Sequence, residues 1–337
     1  MFYSIRYYNG VNDNKSFYKN FLSCKQPQPT FEIPNPWSAI HNCFLRLLCH
    51  IHLSPRINSM IQLPFKSIWW KKIFFANIIP KNESVIIIIN AHFYSLLNKS
   101  IVKHLKKHFK QVYFVFEFSD KYSSFSEHYK KFPSVTSVLQ TYDLVITYNY
   151  TDSLKNGFVL SRPCFEGFSP LPIDDSIPPS DVFFVGKNKN RLNLIHSIFT
   201  KCTEEGLKCD FYVIDVNKEE MISGITYNSF LPYEEVLKHV QKTKCVLNLS
   251  QIGGEGMTMR DYEALSNNKL LLTNNSFIKK TPFYNEDQVL FVDELDSKID
   301  MIKTGFIGNR NYCDEYSLSK WYEWLESTIL RLQNGKH

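Results

Sequence analysis

The chain has no C-x-x-C pair, no internal repeat, no low-complexity tract and no apolar run long enough to cross a bilayer. Each absence removes a class of protein. Its cysteines, at 24, 43, 49, 164, 202, 209, 245 and 313, mostly sit apart and several lie inside apolar runs. They read as buried free thiols of a reducing compartment and not as a disulfide framework. The longest apolar run, VIIIINA at 85–91, has the length of a strand and not of a membrane span. The first ten residues lack the charged-then-apolar layout of a secretory signal, so an intracellular, cytoplasmic protein is expected. Charge of one sign is not in large excess either: 39 basic less 33 acidic side chains leaves +6. That balance suits a phosphate-bearing partner or an anionic membrane surface, and with no recognised binding motif it does not suit nucleic acid. Glycine is sparse, 12 residues of 337, while aromatics reach 15%, a bias that codon preference partly explains.

What is present is the composition of a globular protein, 44% hydrophobic and 21% charged, at a length that predicts two domains. The stretch SPLPIDDSIPPS at 169–180 carries four prolines and reads as a linker. After it, DVFFVG (181–186), CDFYVID (209–215), a short segment about 224–230, KCVLNLS (244–250) and KLLLTN (269–274) read as strands. Helical spacing separates them at 191–206, at 232–242, where Pro232 is expected in the first turn, and from Met257 to about Asn267. Alternating strands and helices imply a parallel, Rossmann-like sheet. Before the linker, SVIIIIN (84–90), KQVYFVFEF (110–118) and YDLVITYN (142–149) predict a second such sheet. The expected division is 1–168, linker 169–180, 181–314, and a long amphipathic helix at 315–337 returning to the first domain. Trp321, Trp324, Leu325, Ile329 and Leu332 are expected on that helix's apolar side.

Two segments invite sharper readings. HNCFLRLLCHIH (41–52) crowds three His and two Cys, but its spacing fits no zinc module and helical apolar periodicity accounts for the cysteines, so no metal is expected. FKSIWWKKIFFANII (65–79) mixes tryptophan, phenylalanine and lysine, which suits either core packing under a lysine-lined surface or contact with an anionic membrane.

The chemistry concentrates in GGEGMTMRDYEALSNNKLLLTNN, from Gly253 to Asn275. Glycines after a strand let backbone N–H groups approach an anion, and the helix that follows aims its positive end at the same place. Glu255 and Glu263 are separated by seven residues, and Arg260 shares a helix face with Glu263. With this E-x7-E pattern on a Rossmann-like carboxy-terminal domain, the chain resembles glycosyltransferases of the GT-B fold, two Rossmann-like domains facing a cleft. More narrowly, YDLVITYNYTDSLKNGF (142–158), FFVGKNKNRLNLIHSIF (183–199) and GEGMTMRDYEALSNNKLLLTNN (254–275) resemble bacterial enzymes of lipopolysaccharide O-antigen and capsule assembly.

The resemblance implies roles. Glu263 is expected to accept hydrogen bonds from the ribose of a nucleotide-sugar donor, which is expected to be UDP-linked. Gly254, Glu255 and Gly256 border its diphosphate and sugar, and Thr258 offers a hydroxyl at the helix start. Lys187 and Arg191, after Gly186, and Arg260 are candidates to neutralise the diphosphate. The base is expected near Phe230, Leu231 and Pro232. The catalytic base is sought at strand ends of the first domain, with Glu117 preferred, His92 and Asp120 as rivals and Asp152 behind them. No cofactor or metal is expected. The expected acceptor is a lipid-linked or growing surface polysaccharide, reached by peripheral contact with the inner face of the cytoplasmic membrane. The rival readings are an epimerase or phosphorylase on the same fold, and a membrane-associated assembly protein without catalysis.

Overall fold

The computed structural model describes residues 2–7, 30–32, 40–61, 63–66, 68–69, 84–94, 98–107, 111–165, 174–251, 255–312 and 315–334. The chain divides into two compact units. Unit 1 comprises Met1–Pro163 together with Leu318–His337, and unit 2 is Cys164–Ser317.

Unit 1 is built on β1 (Phe2–Tyr7), β2 (Thr30–Glu32), α1 (Cys43–Leu53), α2 (Pro55–Met60), β3 (Ser84–Asn90), α3 (Lys99–Lys106), β4 (Gln111–Phe118), α4 (Tyr122–His128), α5 (Val135–Thr141), β5 (Leu144–Thr147), α6 (Tyr150–Asn156) and β6 (Val159–Leu160). Its strands form one parallel sheet in the order β2-β1-β3-β4-β5-β6. The continuous apolar runs of β3 and β4 are buried on both faces, the pattern of a central parallel strand covered by helices on each side. Phe114, Phe116 and Phe118 pack on one face with Phe125, Val138 and Phe158.

Unit 2 repeats the plan with β7 (Ser180–Lys187), α7 (Leu192–Glu204), β8 (Cys209–Ile214), β9 (Thr226–Tyr227), α8 (Tyr233–Lys242), β10 (Thr243–Asn248), α9 (Met259–Ser266), β11 (Leu270–Thr273), β12 (Val289–Phe291) and α10 (Leu295–Thr304). The sheet is again wholly parallel, ordered β12-β11-β10-β7-β8-β9. β12 and α10 have no counterpart in the sequence reading; VLF is too short an apolar run to show as a strand without its neighbour β11.

Several local expectations change. Gly186 is not a turn residue, because β7 runs on to Lys187 and pairs there with Ile214. Pro232 caps α8 from outside with φ −56° and ψ 149°; proline pre-sets φ, but that ψ keeps it out of the first turn. The units part between Pro163 and Cys164, ahead of the proline-rich stretch. Asp174 and Asp175 of that stretch pair with Lys238 and Lys242 of α8, and Ser180 already belongs to β7. Residues 169–173 of it lie outside the described residues, as do Trp70–Ile79 of the aromatic segment. The final helix, α11 (Leu318–Asn334), belongs to unit 1 and buries Leu318, Trp321, Tyr322, Leu325 and Ile329. Spacing of three and four sets that stripe, which turns Leu332 outward and leaves Trp324 half-buried. Trp321 Nε1 donates to Ser161 Oγ at 3.2 Å and Tyr113 OH to Gln333 at 3.2 Å, tying both ends of the helix to unit 1. No helix among the described residues is long and apolar enough to cross a membrane.

Candidate functional site

In unit 2 the chain leaves β7 toward β8 and β9, then returns to β7's other side for β10, β11 and β12. The strand order therefore switches between β7 and β10, and in open parallel sheets a ligand sits outside the strand ends at such a switch. β7 ends at Lys187 and the segment after it carries Arg191; the segment after β10 leads to Glu255–Glu263. The parallel β7–β10 pairing brings both stretches out at the same end of the sheet.

After β10 and β11 the polar residues act as fasteners. Asn248, buried at the end of β10, donates from Nδ2 to Thr258 Oγ1 at 3.0 Å and to Asp261 Oδ1 at 2.7 Å. Thr258 is the N-cap of α9, and its N–H donates to Asp261 Oδ2 at 2.6 Å, so its hydroxyl is already engaged. Ser250 N–H donates to Asn274 Oδ1 at 2.7 Å, while Asn275 Nδ2 donates to the Gly256 carbonyl at 2.8 Å. Gly256 has φ 154°, a region that only glycine enters easily. None of these asparagines was singled out from sequence, although polar residues closing the buried runs VLN and LLLTNN were the available signal.

The charges on α9 lie deeper than a solvated face allows. Glu263 is fully buried and forms an ion pair with Arg260; its second oxygen, Oε1, has no hydrogen-bond partner among the described residues. Desolvation brings Arg260 down to about 10, partly offset by Tyr233. Asp261 is buried as well, and desolvation pushes its carboxyl up to about 6 against the pull of Thr258 and Asn248. Arg260 is therefore turned to Glu263 in this structure. Glu255 is exposed. Gly254 lies outside the described residues.

On the β7 side, Arg191 donates from Nη2 to the Lys187 carbonyl at 3.1 Å and lies over the Phe184 ring at 5.7 Å. A Cβ on Gly186 would come within 3.1 Å of that guanidinium, so glycine makes room for the fold-back. Lys187 Nζ stands 3.3 Å from Asp215 Oδ2, both largely exposed. Leu231 packs on the core beside Val236, while Phe230 and Pro232 face outward.

In unit 1 the switch falls between β1 and β3, and β3 ends at buried Asn90. Asn90 Oδ1 accepts from the His92 N–H at 3.1 Å. The exposed His92 ring lies 4.8 Å from Phe125, with Nδ1 3.2 Å from Tyr129 OH. Desolvation lowers its pKa, and the charge of Asp120 opposes that. Asp120 also hydrogen-bonds Tyr148 and acts on Asp152, whose carboxyl desolvation raises. His92, Asp120 and Asp152 therefore form one neighbourhood. Glu117 stands one step inside β4, in register with Asn90 and Ile146, on the face that Tyr113 shares with Gln333. Among the described residues no group of three His, Cys, Asp or Glu is placed to hold a metal ion.

No protein-family model matches the sequence, and no curated protein matches it. Solved structures do. The chain is similar to an α,α-trehalose-phosphate synthase (UDP-forming) from Burkholderia xenovorans in complex with glucose-6-phosphate, at 8% identity and TM-score 0.56, over 98% of this chain and 99% of that one. It is similar to an α-glucosyltransferase in complex with UDP-glucose and DNA containing an abasic site, at 11% identity and TM-score 0.54, over 98% and 99%. A trehalose-6-phosphate structure from E. coli, bound with UDP-2-fluoro glucose, aligns at 11% identity and TM-score 0.55 over 97% and 98%. At such identities the likeness speaks for architecture, and with end-to-end coverage on both sides it shows that this chain has the GT-B fold.

Proposed function

We propose that the protein is a glycosyltransferase that moves a hexose-type sugar from a nucleotide donor, UDP-linked, to an acceptor hydroxyl. One observation carries the reading: the segment 255–263, with its buried Glu263 and fastened Gly256–Thr258, follows β10 at the sheet's switch point, at the same end of the sheet as Lys187 and Arg191. Glu263 Oε1, without a partner among the described residues, is an acceptor for ribose hydroxyls, and the N-terminal end of α9 favours the diphosphate. Gly254, Glu255 and Gly256 would border the phosphates and sugar, Leu231 and Pro232 the base, and Gly186, Lys187 and Arg191 the diphosphate. UDP is preferred because similar folds are solved with UDP-glucose and UDP-2-fluoro glucose.

Unit 1 supplies the base if transfer inverts the anomeric centre. We prefer His92 to Glu117 for this role: desolvation lowers its pKa, which favours the neutral imidazole a base needs, and the nearby charge of Asp120 would steady the imidazolium that proton abstraction creates. The acceptor is proposed as a lipid-linked or growing surface polysaccharide. Phe44, Leu47, Leu48 and Ile51 of α1, all exposed, with Ile61, Phe65 and Ile68 beyond it, support peripheral membrane contact there.

Calorimetry of the full chain with UDP tests the donor reading. Glu263→Gln is expected to weaken binding by about 1–3 kcal/mol, the worth of a hydrogen bond to a charged group. Unchanged affinity removes the ribose assignment, and absence of any nucleotide binding by the wild type removes the transferase reading.

A further inference from the structure

Asn275 follows β11 and is buried, and all its polar groups are committed. Its N–H donates to Thr273 Oγ1 at 3.1 Å, its Oδ1 accepts from the Phe277 N–H at 3.1 Å, and its Nδ2 donates to the Gly256 carbonyl at 2.8 Å. The first two bonds are local; the backbone bond to Thr273 holds the main chain, and the Oδ1 bond to Phe277 fixes the side-chain amide's orientation. Only the third reaches across the fold, to a residue 19 positions earlier.

The target of that bond is the informative part. In a trans peptide the carbonyl and the following N–H point in opposite directions. Drawing the Gly256 carbonyl inward therefore turns the Met257 N–H outward. Met257's side chain is buried among Phe165, Phe183 and Leu271, so the peptide is held from its other side too. No acceptor among the described residues meets the Met257 N–H, whereas the next N–H, that of Thr258, is taken by Asp261. Glycine can turn over its peptide at little steric cost, so without an anchor the 256–257 unit is free to flip and present a carbonyl instead. A carbonyl facing a phosphate repels it.

We propose that Asn275 is a positioning residue which, by holding the Gly256 carbonyl, aims the Met257 N–H at a phosphate oxygen of a bound nucleoside diphosphate. This rests on the donor reading above. Asn248 holds Thr258 and Asp261 in the same way from the neighbouring strand, so the donor segment is fastened on both sides of the Met257 N–H.

The test compares UDP with uridine, which lacks the phosphates, on the full chain. In Asn275→Ala, UDP affinity is expected to fall about tenfold while uridine affinity stays within about twofold. Asn275→Asp should lose more, because its carboxylate attracts the Met257 N–H and favours the flipped peptide. A second measurement needs no change at Asn275. With 15N-methionine, the Met257 amide resonance of the wild type, assigned through Met257→Leu, is expected to move on adding UDP and to ignore uridine. Parallel losses for UDP and uridine, undiminished UDP affinity, or a Met257 amide indifferent to bound UDP each overturn the assignment. A wild type that binds neither compound overturns the donor reading itself, and Asn275's role with it.

Discussion

At the scale of single residues, α9 sets Arg260, Asp261 and Glu263 in or against the core, and each carries a measurable consequence. Arg260 and Glu263 compensate each other, so removing one partner strands a charge. Arg260→Met is expected to destabilise unit 2 by about 3 kcal/mol, the low end for a broken buried pair because a fifth of the Arg260 side chain is exposed. Replacing both, Arg260→Met with Glu263→Gln, should restore most of that loss, since neither charge is then left unpaired. Urea unfolding of the single and double variants decides it; additive losses would mean that the pair is not coupled. Asp261 behaves differently. Its folded pKa, about 6, lies above its ordinary 3.8, so the native state binds more protons between those values. Its contribution to stability is complete below the lower value and is lost as pH rises through the upper one. Asp261→Asn cannot titrate and lacks this slope. The wild type's advantage over the variant should shrink by roughly 2–3 kcal/mol between about pH 4 and 7, at about 1.4 kcal/mol per pH unit. Unfolding curves with the same pH slope for both proteins would show that burial does not perturb this carboxyl.

At the scale of elements, α11 is the telling case. It follows unit 2 in the chain, yet its apolar stripe is buried in unit 1. Trp321, which also donates to Ser161, is the largest side chain in that stripe. Truncating it leaves a cavity and removes one hydrogen bond from Ser161, at a cost of about 3–5 kcal/mol. Trp321→Ala is therefore expected to lower the unfolding transition of unit 1 and leave that of unit 2 in place. Limited proteolysis on a temperature ramp would reveal this as early cleavage before residue 163 and late cleavage in 181–304. Simultaneous loss of both units would show that α11 serves them equally.

At the scale of the whole molecule, two wholly parallel sheets each present a switch point, and different side chains gather at the two. Unit 2 gathers backbone donors, cations and an acceptor carboxylate; unit 1 gathers His92, Asp120 and Asp152 around aromatic rings. A division of labour between donor binding and proton abstraction predicts separable defects. His92→Ala should reduce transfer about 10²–10⁴-fold while UDP affinity and melting temperature stay near the wild type. Glu117→Gln and Asp120→Asn, assayed beside it, distinguish the base from its neighbours. Should Glu117→Gln alone abolish turnover, the base is the residue that sequence reasoning favoured; full activity in all three would point to a retaining mechanism without a base from unit 1.

The sequence by itself determined the parallel sheets. SVIIIIN, KLLLTN and KCVLNLS are apolar on both faces, and only a strand covered by helices on each side can bury such a run. It likewise pointed to 254–263 as the proposed donor segment, because glycines, a helix start and spaced carboxylates are local signals. The tertiary structure decided the rest. Whether Arg260 faces solvent or Glu263 depends on what packs over α9, and no spacing of three reveals depth. Asn275 looks like any loop asparagine until β11 is set beside β10 and its amide meets Gly256. β12 is three residues long and exists as a strand only because β11 offers it a ladder. Local patterns are written in neighbouring residues, whereas burial and partner choice follow from which distant segments the sheet order brings together.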